Sequence, residues 1–217
     1  TGSNTLIVDN NYKFCDVANY LMIKPEYSVD DLKPFLRSGV LEKSTVTSMV
    51  VNVEKNLDVL SGSTMTFVNN TLSKEDIEKI KAIVDEEYDY IIIDNRAGIE
   101  HEDTLGMIEL IDHSIIVAQP NKYEYNHYER LTQALEKEKI DKLNIAINKS
   151  VLIYNRFIED ANIDFENAKK LFGDKIYKLR FSEKLLDFCN GYKCQLNNDN
   201  ESEISRVVTT ITNKTTE

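Results

Sequence analysis

The sequence predicts an α/β fold, a doubly wound and mostly parallel sheet with helices on both faces. Short apolar runs rich in β-branched residues recur along the chain. Stretches with helical spacing of apolar residues separate them, so strands and helices alternate in βαβ units with right-handed crossovers. Several runs also end in polar residues. No repeat or low-complexity linker interrupts the 217 residues, and a single domain over residues 1–217 is predicted.

The predicted strands are short and nearly continuous in apolar residues, which is typical of a parallel sheet covered on both faces. The strongest is Tyr88–Asp94, with three consecutive isoleucines. The others are Thr5–Asp9, Asn56–Leu60, His113–Gln119, Leu143–Asn148 and Lys175–Leu179.

Helix signals fill the intervals between these strands. Ser28 and Ser73 are candidate N-caps, because acidic residues follow each in the first turn. A third helix carries the stripe from Tyr125 to Leu135, a fourth ends before Gly173, and a last one spans the stripe from Ile204 to Ile211. Asn197–Glu203 is interpreted as a polar loop.

Composition restricts the partners. The net charge of -11 argues against direct binding of duplex DNA or of an anionic membrane surface. No apolar run approaches the roughly 20 residues of a membrane span, so an integral membrane protein is not expected. The three cysteines have no metal-ligand spacing, and we interpret them as reduced thiols of a cytoplasmic protein.

Polar residues follow three of the predicted strands, at the edge where open α/β sheets bind ligands. They are Asp9-Asn10-Asn11, Asp94-Asn95-Arg96 and Asn148-Lys149-Ser150. A carboxylate in this position can hold the water shell of Mg²⁺ or orient a water molecule beside a nucleotide's γ-phosphate. Aspartate also commonly ends a strand without any function, so one such residue indicates little, whereas two on neighbouring strands, Asp9 and Asp94, favour a nucleotide site.

The loop that wraps phosphates is absent from this sequence. None of the seven glycines belongs to a G-x-x-x-x-G-K-[ST] pattern. Gly39–Ser44 ends in Lys-Ser but lacks the second glycine and carries Glu42, so we interpret it as a helix end followed by a loop.

Tyr88–Glu100 reads YDYIIIDNRAGIE and resembles the switch II segment of MinD/ParA-type ATPases, which reads like YDFIIIDSPAGIE. The strand from Ile115 to Pro120 resembles the family's "VVTxP" strand, and Leu6–Asn11 resembles its "LLIDAD" strand. Asn144–Asn148 resembles the "LVVN" strand, whose asparagine contacts adenine in the family. The resemblance covers most of residues 5–190, and the order and spacing of its pieces make it specific.

A subgroup pattern accompanies these pieces. Phe14–Leu21 and Pro25–Leu32 resemble "FGDVALYLDLxPxxSLxDLL", and Asn56–Gly62 resembles "GLxVLAGP". Both are patterns of CpaE/TadZ proteins, which localise pilus assembly machinery.

The resemblance implies an ATP-dependent, dimerising switch that positions a pilus, secretion or division machine. ATP and Mg²⁺ would be its cofactors, with Asp9 and Asp94 near the metal, Asp94 also supporting the attacking water, and Asn148 and Lys149 near the nucleotide. Switch II would comprise Asn95, Arg96, Ala97 and Gly98. The expected partners are a second copy and proteins of the machine, which would recruit the switch to the inner face of the membrane or a cell pole.

Three departures from the family pattern leave a second hypothesis open. Arg96 replaces the usual proline, and Asn11 stands at a catalytic position where the family has an aspartate, although an amide cannot accept a proton from water. The first βα unit with its phosphate-binding loop is also absent, so the sequence is expected to begin roughly 30 residues late and to bind nucleotide poorly by itself. A catalytically silent scaffold of the same fold is therefore the alternative, and an unrelated flavodoxin-like or receiver-like domain is a third.

Overall fold

A computed structural model describes residues 2–11, 15–64, 71–96, 102–138, 141–158, 165–183 and 198–212. The chain divides into two compact units, Thr1–Gly98 and Ile99–Glu217. Each unit contains strands of a mostly parallel sheet with helices between them. The predicted α/β fold is confirmed, whereas the prediction of one domain over the whole chain stays a prediction.

The first unit contains a four-stranded sheet in the order β2-β3-β1-β4. Strand β1 is central and runs parallel to both β3 and β4, while β2 pairs antiparallel with β3. Its elements in chain order are β1 (Thr5–Asn10), α1 (Val17–Tyr20), α2 (Val29–Ser38), α3 (Lys43–Met49), β2 (Val51–Glu54), β3 (Leu57–Leu60), α4 (Lys74–Val84) and β4 (Tyr90–Asn95).

Local sequence explains where the two longer helices of this unit begin. Ser28 and Asp31 form a capping box at the start of α2, and Ser73 and Asp76 form another at the start of α4. Helix α2 ends at Gly39, whose φ of 72° is the left-handed conformation that glycine adopts at little cost. The apolar faces of both helices are buried together with the interior of the sheet, including Leu6, Val8, Leu32, Leu36, Val59, Ile77, Ile80 and Val84.

The second unit contains a three-stranded parallel sheet in the order β5-β6-β7. Its core includes Tyr128, Leu152, Tyr154 and Phe172, with aromatic rings in edge-to-face contact. Its elements are α5 (Glu102–Met107), β5 (Ser114–Ala118), α6 (Lys122–Glu138), α7 (Asp141–Lys149), β6 (Ser150–Phe157), α8 (Glu166–Phe172), β7 (Ile176–Arg180) and α9 (Asn198–Thr212).

Two predicted elements are wrong. The segment Leu143–Asn148 is not a strand but part of α7, because Leu143, Ala146 and Ile147 form a buried helical face. The adjacent run Ser150–Phe157 is more continuously apolar and takes the strand position instead. The predicted polar loop up to Glu203 belongs to α9 from Asn198 onward, where its acidic residues lie in the first turn and favour the helix.

None of the helices in the described ranges combines the length and the apolar character that crossing a bilayer would require.

Candidate functional site

Asp9 and Asp94 lie side by side at the carboxyl ends of two adjacent parallel strands. In the register of β1 with β4, Asp9 is opposite Asp94, and Asn10 is opposite Asn95. In-register residues of neighbouring strands project from the same face of a sheet, and the strands lie about 4.8 Å apart. The fold therefore brings together the two carboxylates that the sequence singled out.

Backbone N–H groups hold the Asp9 carboxylate in place. The amide of Asn11 donates to Oδ1 of Asp9 at 3.2 Å, and the amide of Val17 donates to Oδ2 at 3.2 Å. Asp9 itself is fully buried. Its side chain thus links the end of β1 to the start of α1 while remaining at the sheet edge.

Burial raises the pKa of Asp9 above its ordinary value, and the nearby charges of Asp94 and Asp16 raise it further, against the two amide hydrogen bonds, which lower it. Burial also raises the pKa of Asp94. Burial thus disfavours the ionised form of both adjacent carboxyl groups. A nearby cation would stabilise these ionised forms, because a positive charge compensates for the lost solvation.

Cys15 and Gly62 lie beside the carboxyl end of β1. The Cys15 thiol donates to the carbonyl oxygen of Asn11 at 3.0 Å. Burial and the neighbouring Asp9 charge raise the pKa of this thiol to about 12, so it stays protonated and serves as a hydrogen-bond donor. A Cβ atom on Gly62 would lie 2.4 Å from the Cys15 sulfur, so only glycine allows this approach.

Asn10 also lies at this site, and the sequence alone predicted no role for its side chain. Its side chain is 2% exposed. It accepts a hydrogen bond from the amide of Leu72 at 2.6 Å and donates to the Leu72 carbonyl at 3.3 Å. A polar residue that ends an apolar strand and precedes a second asparagine was the only signal in the sequence.

The predicted switch II segment is described only in part. Asn95 ends β4 in register with Asn10, and Arg96 follows it, partly buried. Ala97 and Gly98 lie outside the described residues. The switch role of these four residues stays a prediction.

Asn148 and Lys149 belong to the second unit and do not end a strand, in contrast to the sequence analysis. Both lie in the last turn of α7, which places them at the amino end of β6. The Lys149 ammonium donates to the carbonyls of Ile108 at 2.9 Å and Ile111 at 2.7 Å. The exposed Asn148 side chain lies 3.4 Å from the Asn144 amide oxygen. Their predicted contact with a nucleotide stays a prediction.

The second unit has a cavity of about 400 Å³ at the carboxyl ends of β6 and β7. Lys178 and Arg180 line one side, and Asp199 and Glu203 of α9 line the other. Arg180 pairs with Asp199 at 3.1 Å. Because its walls carry both signs of charge, the cavity offers no clear preference for a phosphate.

The donor set at Asp9 and Asp94 fits Mg²⁺ of a nucleotide site. Within the described part of the chain, no group of three or more His, Cys, Asp or Glu side chains is arranged to hold a metal ion by itself. Mg²⁺ commonly keeps several water ligands and uses one or two carboxylates together with substrate phosphates. Two adjacent, partly desolvated carboxyl groups at a ligand-binding edge match that requirement.

Comparison with solved structures gives the same fold. A ParA family ATPase from Chlorobium tepidum matches 86% of this chain and 74% of its own, with 23% identity and a TM-score of 0.66. The MinC:MinD cell division protein complex from Aquifex aeolicus matches 100% and 85%, with 19% identity and a TM-score of 0.65. The septum site-determining protein MinD from Pyrococcus horikoshii, complexed with Mg-ADP, matches 86% and 72%, with 16% identity and a TM-score of 0.54.

No protein-family model matches the sequence, and no curated protein does either. The chain thus has the fold of ParA and MinD ATPases, at identities that establish the fold alone.

Proposed function

We propose that this protein is a nucleotide-dependent switch of the ParA/MinD type, in which ATP with Mg²⁺ controls assembly into a dimer. The observation that carries this proposal is the pair of carboxyl groups of Asp9 and Asp94, which are adjacent and desolvated at the carboxyl edge of the sheet. The similarity to a MinD complexed with Mg-ADP supports the same ligand class.

The two carboxylates have distinct roles in this proposal. Asp9 is anchored by two backbone amides, so it serves as the fixed ligand that holds the water shell of Mg²⁺. Asp94 lies opposite Asp9 in the register of β1 with β4, and we assign to it the orientation of the attacking water. Bound Mg²⁺ supplies charge neutralisation for the phosphates.

A further strand-and-helix unit carrying the phosphate-binding loop completes this site in the proposal. Strand β4 ends its sheet, and its side chains remain accessible, with Tyr90 43% and Ile92 51% exposed. Among the described residues, no strand pairs with its other side. The part of this edge from Tyr90 to Ile93 carries no charge and no proline, and such an apolar edge invites pairing with another strand. In the second unit, the edge strand β5 similarly exposes Ile115 and Val117.

In the cell, the switch would position a pilus, secretion or division machine and act through protein partners of that machine. The sequence patterns shared with CpaE/TadZ proteins favour a pilus-type machine, and the MinC:MinD complex is a precedent for partner binding by this fold. Recruitment to the inner face of the membrane or a cell pole would depend on those partners.

A catalytically silent scaffold is the second candidate, and Asn11 favours it. An amide at this position cannot act as a general base. In the structure, the backbone of Asn11 bonds Asp9 and Cys15, which is a structural role that needs no carboxylate. A scaffold would form its dimer without nucleotide.

The test uses the protein expressed from its complete reading frame. Calorimetric titration with ATP, with and without Mg²⁺, should show Mg²⁺-dependent binding that weakens at least tenfold in Asp9→Asn and Asp94→Asn. Asp89→Asn is the matched control, since Asp89 precedes the same strand at its opposite end and accepts from the Asn4 amide. Sedimentation should show an ATP-dependent dimer.

Absence of Mg²⁺-dependent nucleotide binding in the wild type would refute the switch. A dimer that forms without nucleotide, combined with no ATP turnover, would support the scaffold. Equal binding by Asp94→Asn and Asp89→Asn would remove the carboxylate pair from the site.

A further inference from the structure

Asn10 is almost completely buried at the end of β1, yet it lies outside the proposed chemistry. Its amide bonds both backbone groups of one residue, the N–H of Leu72 at 2.6 Å and the carbonyl of Leu72 at 3.3 Å. A buried amide pays a desolvation cost that an apolar side chain would avoid. The two bonds offset this cost and fix the backbone of Asn10, which an apolar side chain could not do.

Residue 72 is itself firmly anchored. Leu72 is 1% exposed, and the ammonium of the buried Lys33 on α2 donates to the carbonyl of Thr71 at 2.9 Å. Ser73 then begins α4 with its capping box. Asn10 therefore attaches the end of β1 to a fixed frame.

The end of β1 needs such an attachment because its pairing is incomplete. The register of β1 with β3 extends from Thr5 to Val8, while that with β4 continues to Asn10. Asp9 and Asn10 are thus paired in the ladder on one side only. Pairing on one side alone constrains the backbone less than pairing on both sides, and a shift here would move Asp9 relative to Asp94.

We propose that Asn10 is a positioning residue for Asp9: its two bonds to Leu72 replace the missing pairing and hold the Asp9 carboxylate beside Asp94 for a divalent cation. This inference rests on the proposed function. Asn10 touches no ligand in this scheme. It acts through the backbone that also places the amides of Asn11 and Val17 on the Asp9 carboxylate.

The chain offers a matched control in the second unit. Asn200 is 1% exposed and makes the same pair of hydrogen bonds to the backbone of one residue. It accepts from the Arg180 amide at 2.8 Å and donates to the Arg180 carbonyl at 3.0 Å. Asn10→Leu and Asn200→Leu therefore remove equivalent bonds from equally buried sites. Only the first lies beside the carboxylate pair.

The experiment uses the protein expressed from its complete reading frame. It measures Mn²⁺ binding, by electron paramagnetic resonance, and amide hydrogen exchange, both well below the melting temperature. We expect both leucine variants to melt at similarly lowered temperatures. Only Asn10→Leu should weaken Mn²⁺ binding at least tenfold and speed exchange of the Asn11 and Val17 amides at least tenfold. Asn10→Ser, a smaller change, serves if Asn10→Leu does not fold.

The positioning role would be overturned if the Asn10 variants bind Mn²⁺ with wild-type affinity and protect the Asn11 and Val17 amides as the wild type does. Equal effects of Asn10→Leu and Asn200→Leu on Mn²⁺ binding and on exchange of the Asn11 and Val17 amides would overturn it too, because they would show a general loss of stability. If wild type and Asp9→Asn bind Mn²⁺ equally, the proposed metal site fails. Amide exchange then decides the positioning role on its own.

Discussion

Gly62 is the position where the smallest side-chain change should disturb the carboxylate pair most. Replacing it with alanine adds one methyl group next to the carboxyl end of β1. The new Cβ would lie 2.4 Å from the Cys15 sulfur, 2.5 Å from its Cβ and 2.8 Å from the carbonyl oxygen of Asp9. A change of the Cys15 rotamer relieves only the first contact, because the other two involve a Cβ and a backbone atom.

The size of the destabilisation follows from the two contacts that a rotamer change cannot relieve, with the Cys15 Cβ and the Asp9 carbonyl oxygen. Ordinary contact begins at 3.4 Å, so the two Cβ atoms must separate by about 0.9 Å (3.4 minus 2.5). Movements of this size in a packed region cost about 1–3 kcal/mol of the free energy of unfolding. Because the Asp9 carbonyl also has to move, we expect Gly62→Ala to weaken Mn²⁺ binding as well as stability.

Urea unfolding followed by circular dichroism measures the stability change, and Mn²⁺ titration measures the affinity of the metal site. Gly106→Ala is the matched control, since a Cβ at Gly106 in α5 meets nothing within 4 Å. The free energy of unfolding of that variant should rise by about 0.5–1 kcal/mol, because alanine loses less backbone entropy than glycine when a helix forms. If Gly62→Ala is as stable as the wild type, the packing of Cys15 and Asp9 against Gly62 is wrong.

Three further predictions follow from individual residues. Tyr128→Phe should stabilise the protein by about 1 kcal/mol in urea unfolding, because the buried Tyr128 hydroxyl has no hydrogen-bond partner among the described residues; a loss would show that the hydroxyl is bonded. Asp94→Asn should raise the melting temperature at pH 7, and the gain should shrink as the pH falls towards 4. The reason is that burial raises the Asp94 pKa above 3.8, so the carboxyl favours folding at low pH and loses that contribution as the pH rises through its folded pKa; a pH-independent gain would contradict this. Met22→Gly should raise the free energy of unfolding by up to about 1 kcal/mol, since the exposed Met22 has a φ of 54°, and a decrease would mean that its side chain makes a stabilising contact.

The sequence was sufficient for the fold class and for the carboxylate pair. Both depend on strong, local signals, namely apolar runs that end in aspartate and serine caps followed by acids. Strands β1 and β4 are such runs, and the rule that parallel strands present their carboxyl ends at one edge brings Asp9 and Asp94 together. The starts of α2 and α4 were predictable for the same reason, since Ser28 and Ser73 with the acids that follow them are local capping signals.

The parts that the sequence did not predict depend on tertiary contacts. The bonds from Asn10 to Leu72 join residues separated by 62 positions, and no local pattern indicates them. The close approach of Cys15 to Gly62 also depends on the sheet order, which sets β1 beside β3. Strand β2 was missed because its alternating, half-exposed residues Val51–Glu54 lack the continuous apolar character of the other strands.

The helix at Leu143–Asn148 bears on recognition of the base and not on the metal site. This segment is mostly apolar, as a buried strand would be, but Leu143, Ala146 and Ile147 also match a helical face, and the next run competes better for the sheet. With Asn148 in a helix, the resemblance to an adenine-binding strand loses its structural basis. Metal binding does not depend on this segment, because Asp9, Asp94 and their supporting contacts all lie in the first unit. Divalent-cation binding is therefore the property to measure first, and recognition of the base is a separate question for the second unit.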